Sequence, residues 1–303
     1  MRWMKKLKNL NPDTMIQLEH DLLRISIAQK GAELQSLYRK DLNLEYLWSG
    51  DPAFWGKFSP VLFPIVGGLK DNTYFYKEQA YQLGRHGFAR DRVFEVKSKK
   101  DNEIIFVLNS DAETKKLYPF DFSFELSYQI KGDILTVGYK IFNIGNEPMY
   151  ASVGAHPAFK IPLTEGTNYA DWYLEFAQTE NAGKWPLTKD GLIEASAIPC
   201  LDNTQTLPLN KPLFYGDALV FKDLQSTAIS IKSNKSAHGL TMQFDEFPFY
   251  GIWAAKDADF VCLEPWCGIA DSASTNQQLV QKEGIHAIAQ NASFERSWSV
   301  KVF

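Results

Sequence analysis

Residues 120–131 read FDFSFELSYQIK, and the alternation never slips. Phe120, Phe122, Phe124, Leu126, Tyr128 and Ile130 are interleaved with Asp121, Ser123, Glu125, Ser127, Gln129 and Lys131. Period two over this length puts one side of an extended chain into a core and the other into water, which a helix cannot do. KGD turns the chain, and ILTVGYKIF alternates again through Leu135, Val137, Tyr139 and Ile141. Together the two runs predict an antiparallel hairpin.

Similar strand-turn-strand patterns recur at RVFEVKSKKDNEIIFVLNS, ALVFKDLQSTAISIKS and FYGIWAAKDADFVCLEP. The chain closes on SFERSWSVKVF, where Phe294, Trp298, Val300 and Val302 share one face. Only NQQLVQKEG (276–284) reads as helical, for about two turns at a 3.6 period. No βαβ rhythm appears, so the expected class is all-β, a large antiparallel β-sandwich. With 303 residues, 45% of them hydrophobic, the chain can bury a large core. Neither a low-complexity linker nor an internal repeat divides it. The expected organisation is one domain over 15–303, preceded by a flexible extension at 1–14.

Charge narrows the function. A net charge of −4 and a pI near 5.8 argue against nucleic acid as a general partner, since that needs a basic face. No run approaches the ~20 apolar residues of a membrane helix. The basic start MRWMKKLKNLNPDT has no apolar stretch behind it and does not read as a secretory signal. Cys200, Cys262 and Cys267 are too scattered for a disulfide framework and read as free thiols in a reducing cytoplasm. Zinc at Cys262 and Cys267 would need another Cys/His pair at suitable spacing. The exposed edges expected of a sheet leave monomer and homodimer both open. Aromatic residues make up 14% of the chain, with eight tryptophans. A wide core accounts for most of them, and a minority would suit a sugar, whose apolar C–H face stacks on large rings.

Three polar residues stand out. His86 lies in LGRHGFARD, between Arg85 and Arg90, with Gly87 permitting close backbone approach. His156 lies in GAHPAF after the apolar run MYASV, and Pro157 biases it towards extended backbone. Glu264 ends the apolar run DFVCLEPW, again before a proline, where burial would raise its pKa. Each alone reads as a satisfied polar residue at a strand end. Together, each with Gly or Pro fixing the local chain, they point to a site. The sequence contains no G-x-S-x-G elbow, no Walker or Rossmann loop and no H-E-x-x-H motif. A His₂Glu metal site lacks supporting ligand spacing. The chemistry left for two histidines and a carboxylate is concerted proton transfer, as in sugar ring opening.

SPVLFPIVGGLKDNTYFY, HGFARD, GAHPAF, FYGDALVF and LEPWCGIADS occur in the order seen in the aldose 1-epimerase (galactose mutarotase) family. The chain resembles that family from about residue 15 to its end, most of all the bacterial LacX-type members. HGFAR is also similar to the hexose-6-phosphate 1-epimerase branch. The resemblance implies a β-supersandwich, a small-molecule hexose or hexose phosphate as partner, and no cofactor or metal. It implies Glu264 as general base, His156 as general acid, His86 as a hydrogen-bonding partner of the sugar, and Asp217 as a holder of its hydroxyls. In one place the chain departs from the pattern. Many relatives carry arginine in FPIVGRL where this chain has Gly68, and Lys70 or Arg85 would have to supply that charge.

The implied reaction is the interconversion of α and β anomers, with a bell-shaped pH profile whose acidic limb belongs to Glu264 and basic limb to His156. Arg85, Arg90 and Lys70 around His86 suit a phosphate equally well, unless Arg90 and Asp91 form only a structural salt bridge. Two other classes remain open. A non-catalytic sugar-binding sensor would explain Gly68, and a glycoside hydrolase would pair Asp217 with Glu264.

Overall fold

A computed structural model describes residues 15–303; the extension expected at 1–14 lies outside the described residues. The alternating run forms strand Phe122–Lys131, every even-numbered residue of which is buried. It pairs antiparallel with Ile134–Asn143, setting Tyr128 opposite Val137 and Phe124 opposite Ile141. Cross-strand pairs of this kind hold the register, because a slip of one residue would turn the whole apolar row outwards.

This hairpin lies within a nine-stranded antiparallel sheet. From one edge its order is Ile198–Pro208, Trp172–Lys184, Ala228–Ser233, Ser236–Gln243, Ser293–Val302, Ile134–Asn143, Phe122–Lys131, Glu103–Asn109 and Glu95–Lys99. A four-stranded sheet runs Ala158–Lys160, Phe260–Trp266, Phe249–Trp253, Leu219–Phe221. A second four-stranded sheet comprises Met15–His20, Leu23–Ala28, Leu34–Arg39 and Leu44–Glu45. Buried residues from Ile16 to Val302 join one hydrophobic core. The class is all-β, as the periodicity predicts.

Local departures have local causes. ALVFKDLQSTAISIKS does form two strands, but Leu219–Phe221 and Ala228–Ser233 belong to different sheets and do not pair. Residues 276–284 contain only the single 3₁₀ turn Leu279–Gln281. A short helix, Ala112–Leu117, escapes the periodicity because six residues are too few to show one. Its start is nonetheless written in the sequence: Asp111 accepts the Thr114 N–H while the Thr114 hydroxyl accepts the Asp111 N–H, a reciprocal cap. Glu264 does not end a strand. It sits inside Phe260–Trp266, all seven residues of which are buried, so the near-continuous apolar run marks a strand covered on both faces.

Candidate active site

The side chains singled out by sequence meet at a cavity of about 640 Å³. Six of the seven residues expected to form the site line it: Arg85, His86, Arg90, His156, Asp217 and Glu264. Lys70 does not. Its ammonium points to the Ala273 carbonyl at 3.5 Å, and its backbone N–H donates to Asp271.

Register places the central pair. Ala158 is opposite Cys262 in the antiparallel ladder, and continuing that register brings His156 opposite Glu264. The Ala155 N–H donates to the Pro265 carbonyl at 3.0 Å, and the Leu263 N–H to the Pro157 carbonyl at 3.3 Å. His156 Nε2 thereby lies 3.2 Å from Glu264 Oε2, with side chains 10% and 2% exposed. Trp55 stacks on the His156 ring at 5.0 Å between centroids, while Trp253 and His86 meet it edge-on. An imidazole walled by rings on several sides cannot swing away from the carboxyl group.

Burial sets the charges here. It pushes His156 down to about 3, with Arg90 adding to the effect. It drives Glu264 well above the ordinary carboxylate range, helped by the charge of Asp217 and opposed by Trp266. In the free protein the pair therefore favours its neutral form, with one proton held on the carboxyl side. These directions run against the order assumed in the pH profile expected from sequence, which has Glu264 ionising at the lower pH and His156 losing its proton at the higher.

His86 adopts φ 67, rare for a residue with a β-carbon. Its ring is oriented by the backbone of Gly67, whose N–H donates to Nδ1 at 3.0 Å while the Gly67 carbonyl accepts the His86 N–H. Nδ1 is thus an acceptor. Burial, reinforced by His156, Arg90 and Arg85, keeps the ring neutral, so Nε2 carries the hydrogen as a donor. Asp217 is strained as well, at φ 97, and its Oδ1 accepts the N–H of Ala218 at 2.7 Å. Strain of this kind is characteristic of binding sites.

The cation in question near Gly68 is Arg85. A β-carbon on Gly68 would lie 3.9 Å from Arg85 Nε, and one on Gly191 only 1.6 Å from Nη2. Gly191 therefore leaves the slot in which this guanidinium rests, and Gly68 lies beside it at ordinary contact distance. Arg90 backs it: Nη2 donates to the Arg85 carbonyl at 2.9 Å, and Nε lies 3.8 Å from Asp91. The Arg90–Asp91 bridge is thus present in a side chain that also lines the cavity.

The cavity walls carry no local mark in the sequence. Trp55, Trp253, Trp266 and Lys189 line the cavity; the tryptophan count was a signal without positions, and Lys189 gave none. The fold also creates a juxtaposition that sequence spacing does not show: ligand-type atoms of His156, Cys262 and Glu264 lie within 4.8 Å of one another. Burial holds the Cys262 thiol well up, so a metal bound there would have to displace its proton. Four buried polar atoms around the cavity, His156 Nδ1, Glu264 Oε2, Trp266 Nε1 and Arg90 Nε, have no well-aligned hydrogen-bond partner among the described residues. Native interiors rarely leave such atoms unpaired, and their clustering marks a place built for a polar ligand.

The LacX proteins of Lactococcus lactis subsp. lactis are 31% identical over 298 residues, covering 95% of this chain and 99% of theirs. The X-ray structure of a galactose mutarotase related enzyme from Lactobacillus acidophilus superposes with a TM-score of 0.91 at 32% identity, over 96% of this chain and 97% of that one. A galactose mutarotase-like protein from Lactobacillus casei superposes with a TM-score of 0.88 at 29% identity, over 96% of this chain and all of the other. The family model described as aldose 1-epimerase matches residues 14–282, and the chain belongs to that family.

Proposed function

We propose that the protein is a mutarotase that interconverts the α and β anomers of a hexose or hexose phosphate by acid-base ring opening. The observation that carries this reading is the buried His156–Glu264 pair, 3.2 Å apart. The two oxygens that exchange protons in ring opening, the anomeric hydroxyl and the ring oxygen, share a single carbon. An acid and a base that serve both must be neighbours, as these two are.

The reacting form is the tautomer of the pair with its single proton moved from Glu264 to His156: Glu264 takes the proton of the anomeric hydroxyl while His156 delivers one to the ring oxygen. The C1–ring oxygen bond breaks and C1 becomes the aldehyde carbon. Both side chains are then neutral, the charge state that burial favours in this pocket. Rotation about C1–C2 presents the other carbonyl face, and closure returns both protons to their first owners. Each positioned group contributes roughly 10²–10⁴ in rate. His86 Nε2–H donates to the sugar, Asp217 accepts from its hydroxyls, and Arg85 supplies the cation that Gly68 does not. Trp55 and Trp253 offer faces for the C–H side of the ring.

Arg85, seated against Gly191, favours a catalyst over a sensor that has lost catalysis, since this guanidinium can supply the charge that Gly68 lacks. A glycoside hydrolase would need two carboxylates across the bond, whereas the close pair here is a carboxyl group and an imidazole. One-dimensional proton NMR of freshly dissolved α-glucose, α-galactose and their 6-phosphates is the test. Anomer equilibration faster than in buffer supports the proposal; binding without acceleration would overturn it.

A further inference from the structure

Away from the reacting pair, Lys282 and Asp271 form an ion pair with side chains only 4% and 3% exposed. The reaction proposed above gives neither a chemical task. Such a pair is an expensive way to fill a core, since an apolar pair of similar size is often at least as stable. Its hydrogen bonds are directed at the cavity wall. The Lys282 ammonium donates to Asp271 Oδ1 and to the Ile269 carbonyl, each at 2.7 Å. The other carboxylate oxygen, Oδ2, accepts the N–H of Lys70 at 3.0 Å. The backbone of Asp271 adds two bonds, from its N–H to the Gly68 carbonyl at 2.9 Å and from the Ile193 N–H to its carbonyl at 2.8 Å.

Three segments that line the cavity thus converge on one residue. Gly67 and Gly68 come from the first, Ile193 from the second, Ile269 and Ala270 from the third. The first and third are packed without slack, as a β-carbon on Gly67 would stand 2.4 Å from the Ala270 nitrogen. Gly67 is also the residue whose N–H donates to His86 Nδ1. The geometry points to a positioning role: the Lys282–Asp271 pair clamps the 67–70 and 269–271 segments together, holding Gly67 where it fixes His86 as the Nε2–H tautomer facing the sugar. This rests on the sugar site proposed above, but its primary readout needs no turnover, so a chain without mutarotase activity still tests it.

The experiment uses the full chain with ¹⁵N-labelled histidine, comparing wild type with the double variant Asp271→Leu/Lys282→Met and with Asp271→Asn. The double variant removes both charges together, so no buried charge is left alone. Tautomers are read from the ring nitrogen shifts of His86, folding from circular dichroism and melting. In wild type, His86 should show one neutral tautomer with the hydrogen on Nε2. In a folded variant its signals should move towards a tautomer mixture, with KM for the sugar raised about tenfold and kcat held, as for a lost substrate hydrogen bond. A folded double variant with unchanged His86 shifts and KM overturns the proposal. So does unfolding of both variants, which would make the pair a stability element and nothing more.

Discussion

His156 and Glu264 face each other at a position where the backbone bonds lie on either side of them and none between. The flanking pairs, Ala155 with Pro265 and Leu263 with Pro157, carry the hydrogen bonds. Side chains at such a non-bonded position of an antiparallel ladder approach most closely. Both prolines fall at the bonded positions, where each accepts one bond and can donate none. The Pro that follows each catalytic candidate in sequence is therefore part of the frame that presents it.

Glu264→Gln keeps the shape and removes the base. Anomer exchange should fall by roughly 10² or more in kcat while the sugar still binds. His156→Asn should lose a similar amount, and the double variant should be little worse than either single one because the pair acts as a unit. NMR exchange rates decide this. A Glu264→Gln protein that retains most of its catalysed rate would return His156 to an ordinary buried histidine.

The same substitution makes a prediction about stability that needs no substrate. Burial raises Glu264 above its ordinary 4.5, so the native state keeps a proton that the unfolded chain releases. Its contribution to stability therefore declines as pH rises above 4.5. For His156 the sign is opposite in direction: the unfolded chain takes up a proton near 6.5 that the native state refuses until about 3, so stability is lost as pH falls across that range. Glutamine cannot ionise. The melting temperature of Glu264→Gln relative to wild type should accordingly climb as pH rises above 4.5. A difference that stays constant with pH would show that Glu264 ionises normally in the native state.

How much of this was legible beforehand depends on range. The hairpin 122–143 was readable because alternation is a local property, and Glu264 and His156 stood out because each polar residue interrupts an apolar context. Register between GAHPAF and FVCLEPW was invisible, since it links segments about a hundred residues apart. The sheet change after Leu219–Phe221 was hidden for the same reason: two strands and a turn look alike whether or not they pair. Lys70 and Arg85 looked equivalent as replacements for the family arginine because sequence distance carries no direction. The structure separates them: Lys70 turns to the Ala273 carbonyl, while Arg85 packs against Gly191 and lines the cavity.

Asp217 tests strain and binding together. Its φ of 97 is tolerated best by glycine and next by asparagine or aspartate. Asp217→Asn should therefore leave the melting temperature nearly unchanged while raising KM, since its Oδ1 can still accept from Ala218 but the charge is gone. Asp217→Gly should raise KM similarly and keep or improve stability. An unchanged KM accompanied by a large drop in melting temperature would assign Asp217 to the turn alone.

Gly191 is the most economical probe of Arg85. A methyl group there would sit 1.6 Å from Arg85 Nη2, so Gly191→Ala must expel the guanidinium from its slot. Gly191 also has φ +75, which adds backbone strain, so loss of stability alone proves nothing. The informative comparison is a cycle with Arg85→Ala. If Gly191 matters by seating Arg85, each single variant should raise KM and the double should be no worse, whereas independent effects would add. The substrate enters through the same cycle. Arg85 and Lys189 both line the cavity, and an arginine fork binds phosphate through two parallel bonds. Arg90 is the poorer probe, because it also supports the Arg85 carbonyl and approaches Asp91. For a phosphorylated substrate, Arg85→Ala and Lys189→Ala should weaken a hexose 6-phosphate by at least about tenfold more than the free hexose, the expected cost of a lost charge-assisted bond. Equal losses for the two sugars would count against phosphate and leave Arg85 as a partner of neutral hydroxyls.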